Sequence, residues 1–323
     1  MHIITGGAGF IGSNIANALI KNKEDIVICD YIDHAEKKIN IEGIDKKLII
    51  RPDKLFKYIK INHKKINSII HMGAISSTAE KNLELLLNNN FFFSQKLFKL
   101  CNKHRIKFIY ASSAATYGRG ENGFNDENSL LQMSKLTPIN LYGLSKYLFD
   151  ITLLSELQSG IECSSEPVGL KFFNVYGINE MHKGFMMSPI PKFYEQIKKE
   201  NKLKLFKSHR KDIEDGMQSR DFIYVEDCVS IVLWFLKNPR KTGIFNVGTG
   251  QSESFNKLAS IIFKKLKIKI NIKYINTPIS IRSGYQYITK ANLSSLRKIG
   301  YTKTFTSLKD GVEKYIDYLE KKH

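Results

Sequence analysis

The nine residues TGGAGFIGS, Thr5 to Ser13, restrict the fold more than any other feature of this chain. They follow an apolar run, HIIT, and open a stretch with helical periodicity from about Ser13 to Lys23. Between a strand and a helix, Gly6 permits a tight turn, Gly9 lets the backbone approach a pyrophosphate, and Gly12 lets helix and strand pack closely. The helix N-terminus then faces the phosphates. A second apolar run, DIVICD, ends on Asp30, about 20 residues on, where an acid meets the ribose of a dinucleotide.

Apolar runs and amphipathic stretches keep alternating: SIIHMGA, a helix through Phe91 to Asn102, KFIYASS, a helix from about Ser145 to Gln158, and VGLKFFNVYG. This order predicts an α/β fold, a Rossmann-type doubly wound parallel sheet with a smaller C-terminal lobe for substrate. The expected boundaries are 1–174 for the NAD(P)-binding domain, with about 221–248 (RDFIYVEDC to GIFNVGTG) returning to it, and 175–323 for the lobe. Pro189 and Pro191 are expected to break the chain, and the charged stretch from Glu195 to Gln218 to be mostly loop.

The formal net charge of +19 raises the question of nucleic acid. The excess is mostly Lys spread along the whole chain, without a basic stripe interleaved with aromatics, so a solvated surface is expected and no nucleic-acid partner. No apolar run reaches the roughly 18 residues a membrane span needs. The N-terminus reads as a first strand rather than a leader, which points to a cytoplasmic protein. Cys29, Cys101, Cys163 and Cys228 are far apart and lack metal-ligand spacing, so buried free thiols and no metal are expected.

Two further motifs carry chemistry. In INLYGLSKYLFD, Tyr142 and Lys146 are four apart and share one face of a helix start. A tyrosine is a poor base at neutral pH, and a neighbouring ammonium together with a cationic nicotinamide favours its phenolate. Lowering its pKa by two units takes about 2.7 kcal/mol. In KFIYASSAATYG, Ser112, Ser113 and Thr116 end a strand, at the sheet edge where open α/β folds bind ligands. A serine there can hold a reacting oxygen against Tyr142. A YxxxK pair alone is usually just a helix surface; three motifs in order make a hydride-transfer site the better reading.

Together with HMGAISSTAE, NNNFFFSQKL, FFNVYG, HKG, SRDFIYVEDC and SGYQ, these motifs resemble the extended short-chain dehydrogenase/reductases that act on nucleotide sugars. Within them the chain resembles the ADP-L-glycero-D-manno-heptose 6-epimerase family over essentially its full length, the HKG after NVYG being the narrower signal. The resemblance implies Tyr142 and Lys183 as acid/base groups, Lys146 as the residue that orients the cofactor ribose, and Ser113 on the reacting oxygen. It implies cofactor contacts at Phe10, Ile11, Asp30, Lys37, Lys54, Met72, Gly73, Ala74, Ile75, Ser76, Asn89 and Val175. Substrate contacts fall on Asn174, Phe206, Arg220 and Tyr285, with Arg220 suited to a diphosphate. It also implies a homo-oligomer, a pentamer in the family.

Cofactor identity stays open between NADP and NAD: Asp30 favours a free 2′-hydroxyl, whereas Lys37 and Lys54 are expected in downstream loops that could reach a 2′-phosphate. Local chemistry narrows the reaction. A 4,6-dehydratase needs a carboxylate pair after the strand-end hydroxyl, and this chain has Ala114-Ala115-Thr116. A 4-epimerase needs only one tyrosine and leaves Lys183 unexplained. Inversion at the exocyclic C6″ moves the oxygen relative to Tyr142 and gains from a second proton-transfer group. The alternatives are a 4-epimerase or reductase on another nucleotide sugar, and a non-catalytic NAD(P)-sensing protein. The loop before Arg220 is longer than usual for the family, and Phe185 and Lys192 stand where Ser and His are usual.

Overall fold

The computed structural model describes residues 1–160, 163–282 and 285–322. Seven parallel strands form one sheet: β1 (His2–Thr5), β2 (Ile26–Cys29), β3 (Ile49–Ile50), β4 (Ser68–His71), β5 (Lys107–Ser113), β6 (Val168–Phe172) and β7 (Gly243–Val247). Their order is β7-β6-β5-β4-β1-β2-β3. β1, β2, β4, β6 and β7 are buried along their whole length, as expected of a parallel sheet covered by helices on both faces. Alternate residues of each strand point to opposite faces. Ile4, Ile28 and Ile70 pack in one core with Ile15 and Leu19 of α1 (Phe10–Lys21). Ile3, Ile69 and Phe108 pack in the other with Leu97 of α4 (Phe93–His104) and Phe149 of α5 (Leu141–Gln158).

Strand order reverses between β1 and β4, so the loops after Thr5 and His71 diverge and leave a crevice at the carboxyl ends of the strands. Thr5 and His71 are in register, and His71 pairs in turn with Tyr110 of β5. Because β5 continues three residues beyond that pair, it carries Ser112 and Ser113 to the edge of the crevice.

Several elements depart from the sequence reading. α5 begins at Leu141, not about Ser145, because the Asn140 side chain accepts the Gly143 amide at 2.7 Å and caps it. Pro189 and Pro191 do not break the chain. They sit in the first turn of α6 (Pro189–Glu200), where a proline lacks no hydrogen bond the helix would make. The charged stretch is likewise not loop throughout: Leu203–Phe206 pairs in parallel with Ile272–Ile275. VGLKFFNVYG is two strands, the second of which, Asn174–Tyr176, leaves the sheet to pair with Phe222–Tyr224. GIFNV joins the central sheet beside β6, and α7 (Val225–Lys237) contributes Val232 and Phe235 to the core around α1. Lys37 and Lys54 stand not in loops but on the helices α2 (Ala35–Asn40) and α3 (Pro52–Asn62). No helix among the described residues is long and apolar enough to cross a membrane.

Packing leaves no space for a side chain at Gly12, where a Cβ would stand 2.1 Å from the Gly6 carbonyl oxygen. Gly12→Val is therefore expected to cost about 3 kcal/mol by forcing α1 off β1. Thermal unfolding and the nicotinamide content of the purified protein check it, and both should fall together.

Candidate active site

A cavity of about 780 Å³ occupies the crevice, bounded by the glycine loop, the segment after β4, the end of β5, α5 and the loop that follows Tyr176. Gly6 has φ +64° and its missing Cβ would meet the Gly73 backbone at 2.6 Å. The two loops can approach only as glycines, and the open N-terminus of α1 points into the cavity between them. Asp30 accepts the Ala8 amide at 3.0 Å through one carboxylate oxygen and the Tyr31 amide at 2.8 Å through the other. Lys37 donates to that second oxygen at 2.9 Å, which places a cation beside the acid at the ribose end. A phosphate-accepting glycine turn, a helix N-terminus, an acid at the second strand and a cavity of this size fit a dinucleotide.

Of the three hydroxyls at the end of β5, hydrogen bonding turns two away. Ser112 Oγ donates to Asp150 at 2.6 Å, and Thr116 Oγ1 donates to the Ser113 carbonyl at 2.9 Å. Ser113 Oγ accepts the Ala115 amide at 3.1 Å and is within hydrogen-bonding reach of the Tyr142 phenol. Burial raises the Tyr142 pKa, the Ser113 bond lowers it, and the negative charge of Asp150 adds to the rise. The tyrosine is thus a phenol in the protein alone, and the expected lowering by Lys146 is not among these influences. Burial in turn brings Lys146 down to about 8, against the opposing pull of Asp150. Helical spacing explains why Asp150 acts on both: Tyr142, Lys146 and Asp150 lie at i, i+4 and i+8 of α5.

Lys183 reaches the same cavity from a short helical turn, Met181–Met186, with its ammonium 5.2 Å from the centre of the Phe10 ring. Burial lowers its pKa, neighbouring Lys192 lowers it further, and Glu180 opposes both. The turn is pinned at its base by the fully buried Glu180, whose carboxylate accepts the Ser188 amide and hydroxyl, each at 2.6 Å, and the Gly177 amide at 3.3 Å. Asparagines tie it to the glycine loop: Asn14 donates to the Ile178 carbonyl, Asn179 to Ser13 Oγ, and Asn40 to the Ala8 and Asn179 carbonyls. His182 stands 3.3 Å from the Asn40 amide, and burial holds its imidazole below the usual range.

The cavity therefore gathers Gly6, Gly9, Phe10, Ile11, Gly12, Asp30, Lys37, Met72, Gly73, Ala74, Ile75, Ser76, Ser113, Tyr142, Lys146, Val175 and Lys183. Six other candidates stand outside its wall. Lys54 is exposed on α3 and pairs with Asp53 at 3.5 Å. Asn89 is exposed and donates to the Leu85 carbonyl; its neighbour Asn90 is the buried one, bonded to both backbone polar groups of Ile75 and to Ser145 Oγ. Asn174 accepts from Thr289 Oγ1 at 3.1 Å. Arg220 lies between the Phe255 and Tyr285 rings, at 5.7 and 5.3 Å, and Gln218 bridges to the Phe206 carbonyl at 3.2 Å. Phe206, Arg220 and Tyr285 thus stand apart from the wall of the cavity. The acidic residues on that wall are Asp30 and Glu80. Glu80 is taken up by the Lys81 and Asn82 amides at 2.8 Å, so the strand-end turn has no carboxylate for a dehydration.

A family model described as NAD dependent epimerase/dehydratase family matches residues 2–248. The chain is 42% identical over 320 residues to an ADP-L-glycero-D-manno-heptose-6-epimerase of Nitratidesulfovibrio vulgaris, covering 98% of this chain and 97% of that protein. It is 41% identical to the protein of that name from Fusobacterium nucleatum, covering 99% and 98%. Among solved structures it is similar to the Helicobacter pylori ADP-L-glycero-D-manno-heptose-6-epimerase, with a TM-score of 0.79, 28% identity and coverage of 99% and 96%. A UDP-N-acetylglucosamine 4-epimerase from Methanobrevibacter ruminantium gives 0.82 at 25% identity, covering 100% and 98%.

Glu180→Ala leaves three donors at the base of the Lys183 turn without their acceptor, at about 1–3 kcal/mol for a buried group. The expected outcome is at least a tenfold loss of turnover with cofactor content unchanged, measured by steady-state kinetics and release of bound nucleotide on denaturation.

Proposed function

The chain belongs to the NAD dependent epimerase/dehydratase family, and from that premise we propose that it is a nicotinamide-dependent epimerase that inverts C6″ of ADP-D-glycero-D-manno-heptose, supplying a precursor for lipopolysaccharide heptose. The observation that carries this reading is the presence of two proton-transfer groups on one cavity, Tyr142 with its Ser113 partner and Lys183 on a separately anchored turn. Gly6, Gly9, Gly12, Asp30 and Lys146 would hold a nicotinamide dinucleotide, which would supply reversible hydride transfer at C6″. Ser113 holds the substrate oxygen against Tyr142, and one of the two groups, Tyr142 or Lys183, removes its proton as the ketone forms. After the ketone presents its other face, the second group restores the proton. Burial serves Lys183, since a lysine whose pKa is lowered gives and takes protons more readily near neutral pH, whereas burial alone keeps Tyr142 a phenol. Lys146 orients the cofactor ribose. The relatives that bear the ADP-L-glycero-D-manno-heptose-6-epimerase name support the substrate.

Lys37 favours NADP over NAD, because its ammonium beside Asp30 offsets the acid that would repel a 2′-phosphate. The second lobe, 175–323 without the returning segment at about 221–248, holds the sugar nucleotide, with Arg220 on the diphosphate. A second reading, epimerisation at C4 or reduction of another nucleotide sugar, is supported by the cavity rim, where Phe185 is 72% exposed and its carbonyl accepts from Lys192.

Incubation of the protein with ADP-D-glycero-D-manno-heptose and chromatographic separation of the C6″ epimers tests the assignment, with ADP-, UDP- and GDP-linked hexoses as comparators. Epimer formed only from the heptose supports it; turnover only of a hexose transfers the assignment to the second reading. Tyr142→Phe and Lys183→Met are each expected to lower turnover at least about 100-fold while cofactor stays bound. Normal turnover by Lys183→Met would return that residue to a substrate clamp. Lys37→Ala is expected to weaken NADP binding about 10- to 100-fold and NAD binding little, as measured by titration of the nucleotide-free protein.

A further inference from the structure

Beneath Ser113 and Tyr142 lies an ion pair that the reaction above does not use. Lys171, on β6, is 1% exposed, and its ammonium is 2.6 Å from an oxygen of Asp150, which is 0% exposed. Such a pair costs desolvation on both sides and is weak evidence for stability, so its location calls for another explanation. Asp150 also accepts Tyr110 OH and Ser112 Oγ, both at 2.6 Å. Lys171 also donates to Thr116 Oγ1 at 2.6 Å, and Thr116 in turn donates to the Ser113 carbonyl. One pair thus joins α5, which carries Tyr142 and Lys146, to the turn that carries Ser113.

We propose that Asp150 and Lys171 are a positioning pair for the reaction: they lock the Ser113 turn to the Tyr142 helix, and Lys171 offsets part of the charge that Asp150 projects onto Tyr142. The inference rests on the epimerase reading for its kinetic consequence but not for its electrostatics. Asp150 serves the site by holding Lys146 protonated against burial, and the same charge opposes ionisation of Tyr142. Lys171, bonded to Asp150 and to Thr116, tempers that charge without abolishing it. The other ionisable groups around the assembly leave this balance in place. Tyr110 and Tyr117 are held far above their usual range by burial, and burial raises Asp126. Burial also brings His71, beside Lys146, down to about 3. Lys183, across the cavity, remains unchanged in every comparison below.

The sign of the effect separates charge from mere packing. The test is a tyrosinate titration by ultraviolet absorbance of the protein loaded with oxidised NADP, with the same curve for Tyr142→Phe subtracted in each background. Lys171→Met leaves Asp150 uncompensated, so the Tyr142 midpoint is expected to rise by about one pH unit, equal to a tenfold change in the phenolate equilibrium. Asp150→Asn leaves Lys171 uncompensated, so the midpoint is expected to fall. The double variant, with neither charge, is expected to titrate between the two single variants, and Lys171→Arg like the wild type. Equal midpoints in all variants, or a shift in the same direction for both single substitutions, would overturn the proposal and reduce the pair to packing. The acid limb of kcat/KM for epimerisation is expected to move with the midpoint. If the wild type forms no heptose epimer, the functional reading fails, and the titration still judges the pair.

Discussion

Everything in this site depends on two backbones that can come together only where side chains are missing. A Cβ on Gly6 would strike the Gly73 backbone at 2.6 Å, and one on Gly12 would strike the Gly6 carbonyl at 2.1 Å. The first contact brings the loop after β1 against the loop after β4, at the point where strand order reverses. The second sets α1 close enough to β1 that its unpaired amides face the cavity. From that junction the rest is tied outward: Ala8 to Asp30, Asn14 to Ile178, Ser13 to Asn179, Asn40 to Ala8. The turn bearing Lys183 is thus hydrogen-bonded to the same loop that would hold the phosphates, and the cofactor end and the chemistry end share one scaffold.

Electrostatics then divide the labour among groups that burial would otherwise leave neutral. Tyr142 is held as a phenol, Lys146 is brought down to about 8, and Lys183 is lowered by burial and by Lys192. Each is opposed by a specific partner: Ser113 for the tyrosine, Asp150 for Lys146, Glu180 for Lys183. Asp150 helps one of these groups and hinders another, which is the physical reason for a second buried charge at Lys171. Breaking such a pair by removing one partner costs about 3–5 kcal/mol, a larger penalty than most single contacts carry.

Much of this was legible in the sequence, for identifiable reasons. Parallel strands buried on both faces read as apolar runs, so β1, β2, β4, β5, β6 and β7 are visible in the sequence, and the glycine spacing locates the crevice. Other features lay below that resolution. Three hydroxyls were available at the end of β5, and only the bonds of Ser112 to Asp150 and Thr116 to Ser113 single out Ser113. Asn89 and Asn90 are adjacent, and a π turn at Leu87–Phe92 decides which of them faces inward; a 3.6-residue period does not register the extra residue. The prolines of α6 carried a breaker signal that reverses at a helix start. Lys171 interrupts an otherwise apolar strand, and its partner, 21 residues earlier, gives no sequence mark beyond its i+4 spacing from Lys146.

The central claim is that hydride leaves and returns to one carbon while two protein groups manage the proton. Its most direct measurement is turnover of ADP-D-glycero-D-manno-heptose carrying deuterium at C6″, followed by mass spectrometry and NMR of the product in ordinary water. The expected product is the L-glycero epimer with deuterium still at C6″, formed without accumulation of absorbance at 340 nm. Loss of the label to solvent, or net formation of reduced nicotinamide, would contradict it.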